Sequence, residues 1–123
     1  MSNPFVHLEL STSDTQKAKD FYSNLFGWQF TDNDMGNNMI YSTFKPSDGP
    51  GGGLYSMPNH PTAWIAYVGV EDINASTEKA KSLGATVLNG PMEIPNVGWA
   101  TILKDPTGAV IALFQQNPSH GPA

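Results

Sequence analysis

The sequence predicts an α+β fold of two tandem βαβββ modules, in which curved mixed sheets surround a cup and the helices lie on the outer faces. The main observation is a set of landmarks that recur at nearly one offset. A helix-starting aspartate occurs at Asp14 and again 58 residues later at Asp72, and a helix-ending glycine occurs at Gly27 and 57 residues later at Gly84. The turn lysine Lys45 has a counterpart 59 residues further on. Two curved sheets of this kind enclose a space, so the sequence predicts a cavity.

The first predicted strand is Phe5–Ser11, where apolar and polar residues alternate with the period of a half-buried strand. One face, which we expect to pack under the helix, consists of Val6, Leu8 and Leu10. The opposite face, which we expect to line the cup, consists of Phe5, His7 and Glu9.

The first predicted helix begins after Asp14, whose carboxylate can accept hydrogen bonds from the amides of the first turn, and it ends before Gly27. The apolar stripe that we expect it to bury on its sheet consists of Ala18, Phe21, Tyr22, Leu25 and Phe26. The second helix follows the same plan after Asp72, with a stripe of Ile73, Ala80 and Leu83.

The remaining strands are predicted at Trp28–Asp32, Asn38–Phe44, Gly53–Met57, Trp64–Val70, Thr86–Leu88, Trp99–Lys104 and Ala109–Gln115. Gly49–Gly53 is predicted to be a loop, and its glycine run is interpreted as a turn that needs positive φ rather than as a phosphate cradle. The predicted boundaries are residues 4–57 for module one, 58–62 for a linker, 63–116 for module two and 117–123 for a tail.

The composition limits the possible partners and compartments. A length of 123 residues predicts one domain, and a net charge of -5 argues against nucleic acid or an anionic membrane surface as a partner. The chain has no cysteine, so it lacks disulfides and thiol chemistry, which fits a cytoplasmic protein. No secretory signal is visible, and no apolar run approaches the ~18 residues of a membrane span.

Several landmarks together resemble the vicinal oxygen chelate superfamily, which includes glyoxalase I, bleomycin resistance proteins, extradiol dioxygenases and fosfomycin resistance enzymes. The resemblance covers roughly residues 4–116. The segments that carry it are Asp14 with Ala18, Phe21–Tyr22, Leu25–Trp28, Trp64–Tyr67 with Asp72, Leu83–Ala85, Asp105–Ala109 and Leu113–Phe114. It implies the fold already predicted and leaves the chemistry open, because members of one fold family differ in activity.

In metal-dependent members, the resemblance implies ligands on the first and last strands of each module. These positions correspond here to His7, to Trp64 (or Ile65 if the register slips by one), to Ala112, and to a residue within Gly53–Tyr55. Only His7 is a plausible ligand, whereas a catalytic divalent ion needs about three protein donors. We therefore expect no metal and no other cofactor, with the Trp64 indole filling the space of the ion.

The candidate ligand-binding residues are His7, Glu9, Tyr41, Tyr55, Trp64, Trp99 and Ala112, and no catalytic residue is assigned. His7 and Glu9 either orient a ligand or move a proton, or they only satisfy structural hydrogen bonds. The aromatic residues either line the cup or pack in the core. His60 and His120 are interpreted as solvent-exposed.

The leading functional hypothesis is metal-independent binding of a small molecule by a glyoxalase/bleomycin resistance/dioxygenase-like domain that works as a homodimer. One alternative is a glyoxalase-like lyase or dioxygenase that uses a divalent metal. A second alternative is a structural or interaction domain whose cup is filled by its own side chains.

Overall fold

The computed structural model describes residues 2–36, 39–56, 60–94 and 97–117. The chain divides into two compact units, one of His7–Ile65 and one of Met1–Val6 with Ala66–Ala123. In chain order, the elements are β1 (Phe5–Ser11), α1 (Thr15–Phe26), β2 (Thr31–Asp34), β3 (Ile40–Phe44), β4 (Gly51–Tyr55), β5 (Ala63–Gly69), α2 (Ile73–Ser82), β6 (Thr86–Ile94), β7 (Gly98–Lys104) and β8 (Val110–Gln116).

The unit His7–Ile65 contains a mixed sheet in the strand order β2-β3-β4-β1, with α1 as its helix. Strands β2, β3 and β4 pair antiparallel, whereas β1 pairs parallel to β4. The last strand of the module, β4, therefore lies beside its first strand, β1, and this parallel pair completes the four strands of the module.

The second unit repeats this arrangement in the order β5-β8-β7-β6, with α2 as its helix. Strand β5 pairs parallel to β8, and β6, β7 and β8 pair antiparallel. The N-terminal residues join this unit, since the Gly69 N–H donates to the Pro4 carbonyl at 2.8 Å and the Asn3 side chain donates to the Gly69 carbonyl at 2.8 Å. The predicted α+β class with two βαβββ modules is confirmed.

The ends of α1 are those that the sequence predicts, but its packing is not. Asp14 Oδ1 accepts from the Lys17 N–H at 3.0 Å, and Gly27 ends the helix in the left-handed region at φ 76°. No residue of the helix is buried, and Phe21, Leu25 and Phe26 keep 58%, 58% and 55% of their surface exposed. The prediction that the sheet buries this whole apolar stripe is therefore wrong.

Helix α2 packs in part through its predicted stripe, because Ile73 is buried as expected, but Thr77 was not predicted to be buried. Ile73 and Thr77 are buried, and the Thr77 hydroxyl lies 2.8 Å from the hydroxyl of buried Thr101 in β7. Leu83, expected on the buried stripe, is 68% exposed because the helix ends at Ser82 and Leu83 lies in the following turn.

Two strand predictions are wrong in their bounds for identifiable reasons. Strand β2 starts at Thr31 rather than Trp28, whose ring instead stacks on Phe44 with centroids 4.4 Å apart. Strand β4 starts at Gly51, so most of the predicted loop Gly49–Gly53 is strand, and only Gly49 within that range has positive φ, at 85°.

Strand β6 extends to Ile94, well past the predicted Thr86–Leu88, and pairs with β7 through register shifts. Residues 37–38, 57–59 and 118–123, which include parts of two predicted strands, the linker and the tail, lie outside the described residues.

Candidate functional site

One face of β1 presents polar side chains beside a strand that is almost bare. In the parallel pairing of β1 with β4, His7 lies opposite Gly51, Glu9 opposite Gly53 and Ser11 opposite Tyr55. Because side chains alternate along a strand, His7, Glu9 and Ser11 point to one side of the sheet and Leu8 and Leu10 to the other. The glycines leave that side open next to His7 and Glu9.

The open space above Gly53 is occupied by the ring of Tyr41, which comes from the next strand, β3. A Cβ atom on Gly53 would lie 2.3 Å from both Cζ and Oη of Tyr41. The ring can therefore cross β4 only because position 53 has no side chain, and its hydroxyl reaches β1. This contact explains the glycine better than the positive-φ turn that the sequence predicts.

The Tyr41 hydroxyl connects His7 and Glu9 in one hydrogen-bonded chain. It donates to Glu9 Oε2 at 2.6 Å, and His7 Nε2 lies 2.9 Å from the same phenolic oxygen. A phenol has one hydrogen, and Tyr41 gives it to Glu9, so the proton between His7 and Tyr41 belongs to His7 Nε2. The chain thus runs from imidazole through phenol to carboxylate, with Nε2 and Oε2 3.6 Å apart.

Tyr55 lies beside Tyr41, and the charge of Glu9 affects the pKa of Tyr55. Its ring stacks on Tyr41 with centroids 6.1 Å apart. Burial raises the pKa of Tyr55 above its usual value, the negative charge of Glu9 raises that pKa further, and a hydrogen bond with Ser11 opposes both. The side chains of His7 and Glu9 are 30% and 14% exposed, so the carboxylate is the more protected end of the chain.

We call His7, Glu9, Tyr41 and Tyr55 the polar cluster. All four are among the predicted site residues, and the structure brings them together within the unit His7–Ile65. His60 is exposed, as predicted, and its ring is T-shaped to that of Tyr55 at a centroid distance of 6.2 Å.

Trp64 was expected in the cup, in the space of a metal ion, but the structure places its side chain against α1. Its indole N–H donates to the Tyr22 hydroxyl at 3.2 Å, and its ring meets those of Tyr22 and Phe44 at centroid distances of 5.6 and 6.3 Å. Neighbouring strand residues point to opposite faces, so a one-residue difference in register decides which side receives the indole.

The other two predicted site residues, Trp99 and Ala112, belong to the second compact unit. Trp99 lies in β7 opposite Glu93 and Gln115, and Ala112 is fully buried in β8 between Tyr67 and Ile102. A methyl group has no donor or acceptor, so Ala112 can contribute only shape to a ligand site.

Trp64 also lines a groove that was not predicted from the sequence. The groove has a volume of about 410 Å³ and runs along the first half of α1. Its lining residues are Leu10, Thr12, Asp14, Lys17, Ala18, Phe21, Tyr22, Thr62, Ala63 and Trp64. The detectable sequence signal is Tyr22, a phenol within an otherwise apolar stripe.

The donor set of the polar cluster does not fit a divalent metal. His7 and Glu9 provide one nitrogen and one carboxylate, both already bonded to the Tyr41 hydroxyl. Within residues 2–36, 39–56, 60–94 and 97–117, no three His, Asp or Glu side chains converge as a metal site would require.

The helices within these same four ranges are too short and too polar to cross a membrane.

Solved structures of known proteins share this fold. The chain resembles hypothetical protein BH1468 from Bacillus halodurans with a TM-score of 0.75, at 13% identity over 95% of this chain and 96% of that one. It also resembles methylmalonyl-CoA epimerase from Mycobacterium tuberculosis with a TM-score of 0.70, at 14% identity over 97% of this chain and 91% of that one. At these identities, the similarity concerns the fold alone.

Curated relatives share more of the sequence. The chain is 32% identical over 116 residues to "Putative glyoxylase CFP32" of Mycobacterium tuberculosis, covering 89% of this chain and 44% of that protein. It is 27% identical over 132 residues to the anthracycline biosynthesis protein DnrV of Streptomyces peucetius, covering 92% of this chain and 47% of that protein. The chain thus spans less than half the length of these relatives.

The family assignment rests on a match over most of the chain. The model of the Glyoxalase/Bleomycin resistance protein/Dioxygenase superfamily matches residues 5–113, a range that includes most of both modules and the whole polar cluster. Together with the two βαβββ modules, this match shows that the chain belongs to the Glyoxalase/Bleomycin resistance protein/Dioxygenase superfamily.

Proposed function

We propose that this domain binds a small organic molecule at the polar cluster and that its own side chains, rather than a resident divalent ion, make the polar contacts. The observation that carries the proposal is the pair of hydrogen bonds at the Tyr41 hydroxyl, which lies 2.9 Å from His7 Nε2 and 2.6 Å from Glu9 Oε2. It brings an imidazole, a phenol and a carboxylate together beside the aromatic ring of Tyr55.

The composition of the cluster supports ligand binding. Small-molecule sites combine apolar and aromatic walls with a few fixed polar groups, and here two stacked tyrosines supply the walls. The hydrogen bonds hold each polar group in one orientation, so a ligand does not have to order them on binding. In this arrangement, Glu9 accepts hydrogen bonds from a ligand and the tyrosine rings contact its flat or apolar part.

The alternative function is metal-dependent lyase or dioxygenase chemistry, which the word glyoxylase in the name of CFP32 suggests. The cluster offers two donors of the required type, and the equivalent positions Trp64 and Ala112 offer none. The activities named for the relatives belong to chains about twice as long, so none is transferred to this domain.

The test is a ligand screen on chelator-treated protein. Ligand-observed NMR with a panel of small phenols, amines and carboxylates is expected to give hits without added metal. These hits should be lost in Glu9→Gln and Tyr41→Phe and kept in Glu78→Gln, which changes an exposed carboxylate on α2. Binding that appears only after Zn²⁺, Ni²⁺ or Mn²⁺ is added, or hits that both cluster variants retain, would contradict the proposal.

The domain is further proposed to act as a homodimer in the cytoplasm. The family resemblance supports the dimer, and the absence of cysteine from the sequence supports the reducing compartment. Light scattering that gives the mass of one chain at micromolar concentration would contradict the first statement, and cell fractionation tests the second.

A further inference from the structure

The groove along α1 lies on the side of β1 opposite to the polar cluster. Leu10 lines the groove, whereas its neighbour Glu9 belongs to the cluster, and successive strand residues point to opposite faces. The volume of about 410 Å³ lies within the range of small-molecule sites. The groove is therefore a separate candidate site within the same compact unit.

Aromatic surface is exposed at this groove to an extent that the packing of the helix does not explain. Phe21 is 58% exposed and Trp64 is 39% exposed, although both are large apolar side chains. A contiguous apolar patch on a protein surface commonly marks a binding site. The rings of Phe21 and Tyr22 meet edge to face at 5.0 Å, and Tyr22 meets Trp64 in the same way at 5.6 Å.

Two side chains that can donate hydrogen bonds also line the groove, those of Tyr22 and Lys17. The Trp64 indole donates to the Tyr22 oxygen at 3.2 Å, and this bond does not use the phenolic hydrogen of Tyr22. That hydrogen can therefore be donated to a ligand. The second donor is the Lys17 ammonium, which forms no ion pair with any described residue.

The carboxylate of Asp14 also lines the groove, where it caps α1 and keeps its negative charge. Asp14 Oδ1 accepts from the Lys17 backbone N–H at 3.0 Å, at the positive end of the α1 dipole. The ammonium of Lys17 and the hydroxyl of Tyr22 thus remain as the donors that a ligand can use. Both favour an oxygen anion over a cation.

We propose that the groove binds a small amphipathic organic acid, independently of the function proposed for the polar cluster. Its aromatic or branched apolar group packs on Phe21, Tyr22 and Trp64, and its carboxylate accepts hydrogen bonds from Lys17 and Tyr22. The charge of Lys17 favours an anion over a neutral or cationic ligand of the same shape, and the volume of about 410 Å³ limits the ligand to a small molecule.

The test uses three probes with the same ring and different charges: 1-naphthaleneacetate, 1-naphthaleneacetamide and 2-(1-naphthyl)ethylamine. The indole N–H resonance of Trp64 in the NMR spectrum of the full chain reports binding, and Trp64→Phe identifies that resonance. We expect the acid to shift it and to bind about two- to fivefold more tightly than the amide, because one exposed charged contact has roughly that value. The amine should bind more weakly than the amide.

Variants show whether Lys17 and Tyr22 cause the preference. Lys17→Gln should bring the acid down to the affinity of the amide, and Tyr22→Phe should weaken the acid more than the amide. Lys104→Gln, which changes an exposed lysine of β7, is the matched control and should keep the wild-type preference. Well-dispersed spectra show that each variant is folded.

Three results would overturn the proposal. The first is equal affinity for acid and amide, and the second is an acid preference that survives in Lys17→Gln. The third is a mass of two chains that falls to one in Phe21→Glu, because a second copy of the chain would then cover the groove.

Discussion

A Cβ atom on Gly53 would lie 2.3 Å from the phenolic oxygen of Tyr41, so a side chain at position 53 and the ring of Tyr41 exclude each other. The ring cannot move away without cost, because its hydroxyl bonds to Glu9 at 2.6 Å and lies 2.9 Å from His7 Nε2. Gly53 is thus a positioning residue for the polar cluster.

Gly53→Ala is expected to lower the free energy of unfolding by about 1–3 kcal/mol, the usual cost of an added methyl group in a filled space. The matched control is the same substitution in a Tyr41→Ala background, where the methyl group meets no ring and should cost little. Urea denaturation of the four proteins measures the coupling. Equal losses in both backgrounds would show that Tyr41 does not determine the need for glycine.

Glu9→Gln is expected to lower the pKa of Tyr55, because the negative charge of Glu9 is the second cause, after burial, that raises it. Absorbance of tyrosinate during an alkaline titration measures this pKa, and Tyr55→Phe identifies the transition. The raised pKa of the folded state contributes stability that is fully present below the unfolded value and is lost as pH rises through the folded value. Glu9→Gln should therefore lose less stability over that alkaline range than the wild type.

Asp32→Asn is expected to destabilise the protein by about 0.5 kcal/mol at neutral pH, a value typical of an exposed ion pair. The hydrogen bond from Ser42 lowers the pKa of Asp32 most, followed by the hydrogen bond and the charge of Lys19, whose ammonium lies 3.0 Å away. A lowered pKa contributes stability above the unfolded value, and this stability is lost as pH falls through the folded value.

The difference between Asp32→Asn and the wild type should accordingly disappear in strong acid, as thermal denaturation at several pH values would show. Asp20→Asn on α1 is the control, because among the described residues this carboxylate accepts only from Gln16. A difference that persists unchanged in strong acid would mean that the asparagine acts through packing.

Thr77→Val is expected to cost about 1–3 kcal/mol, because it leaves the fully buried Thr101 hydroxyl without its partner at 2.8 Å. Replacing both residues by valine removes both hydroxyls and keeps the shape, so the double variant should be more stable than Thr77→Val alone. Chemical denaturation checks the order. A double variant that loses the sum of the two single losses would exclude this explanation.

Features set by neighbouring residues could be predicted from the sequence. Asp14 and Asp72 cap their helices through carboxylate oxygens that accept from Lys17 and Ala75, and both contacts join residues three apart. The strand face of His7 and Glu9 was predictable for the same reason, since alternation along β1 needs no knowledge of other strands.

Features set by distant residues could not be predicted in this way. The helical period identifies the apolar stripe of α1 but does not reveal whether a partner covers it, and Phe21, Leu25 and Phe26 are in fact exposed. The need for glycine at position 53 of β4 comes from Tyr41 in another strand, β3. The face of the sheet on which the Trp64 side chain lies depends on the strand register. In each case, the deciding contact lies far away in the sequence.

The alternation of side chains along β1 also makes the two sides of the strand separable by mutation. Glu9 belongs to the polar cluster and Leu10 lines the groove along α1, although the two residues are adjacent in the chain. Substitutions at odd-numbered positions can change the polar side while even-numbered ones change the apolar side, each with little effect on the other. Selection or engineering could therefore change the side chains on one face of β1 and leave the chemistry of the opposite face unchanged.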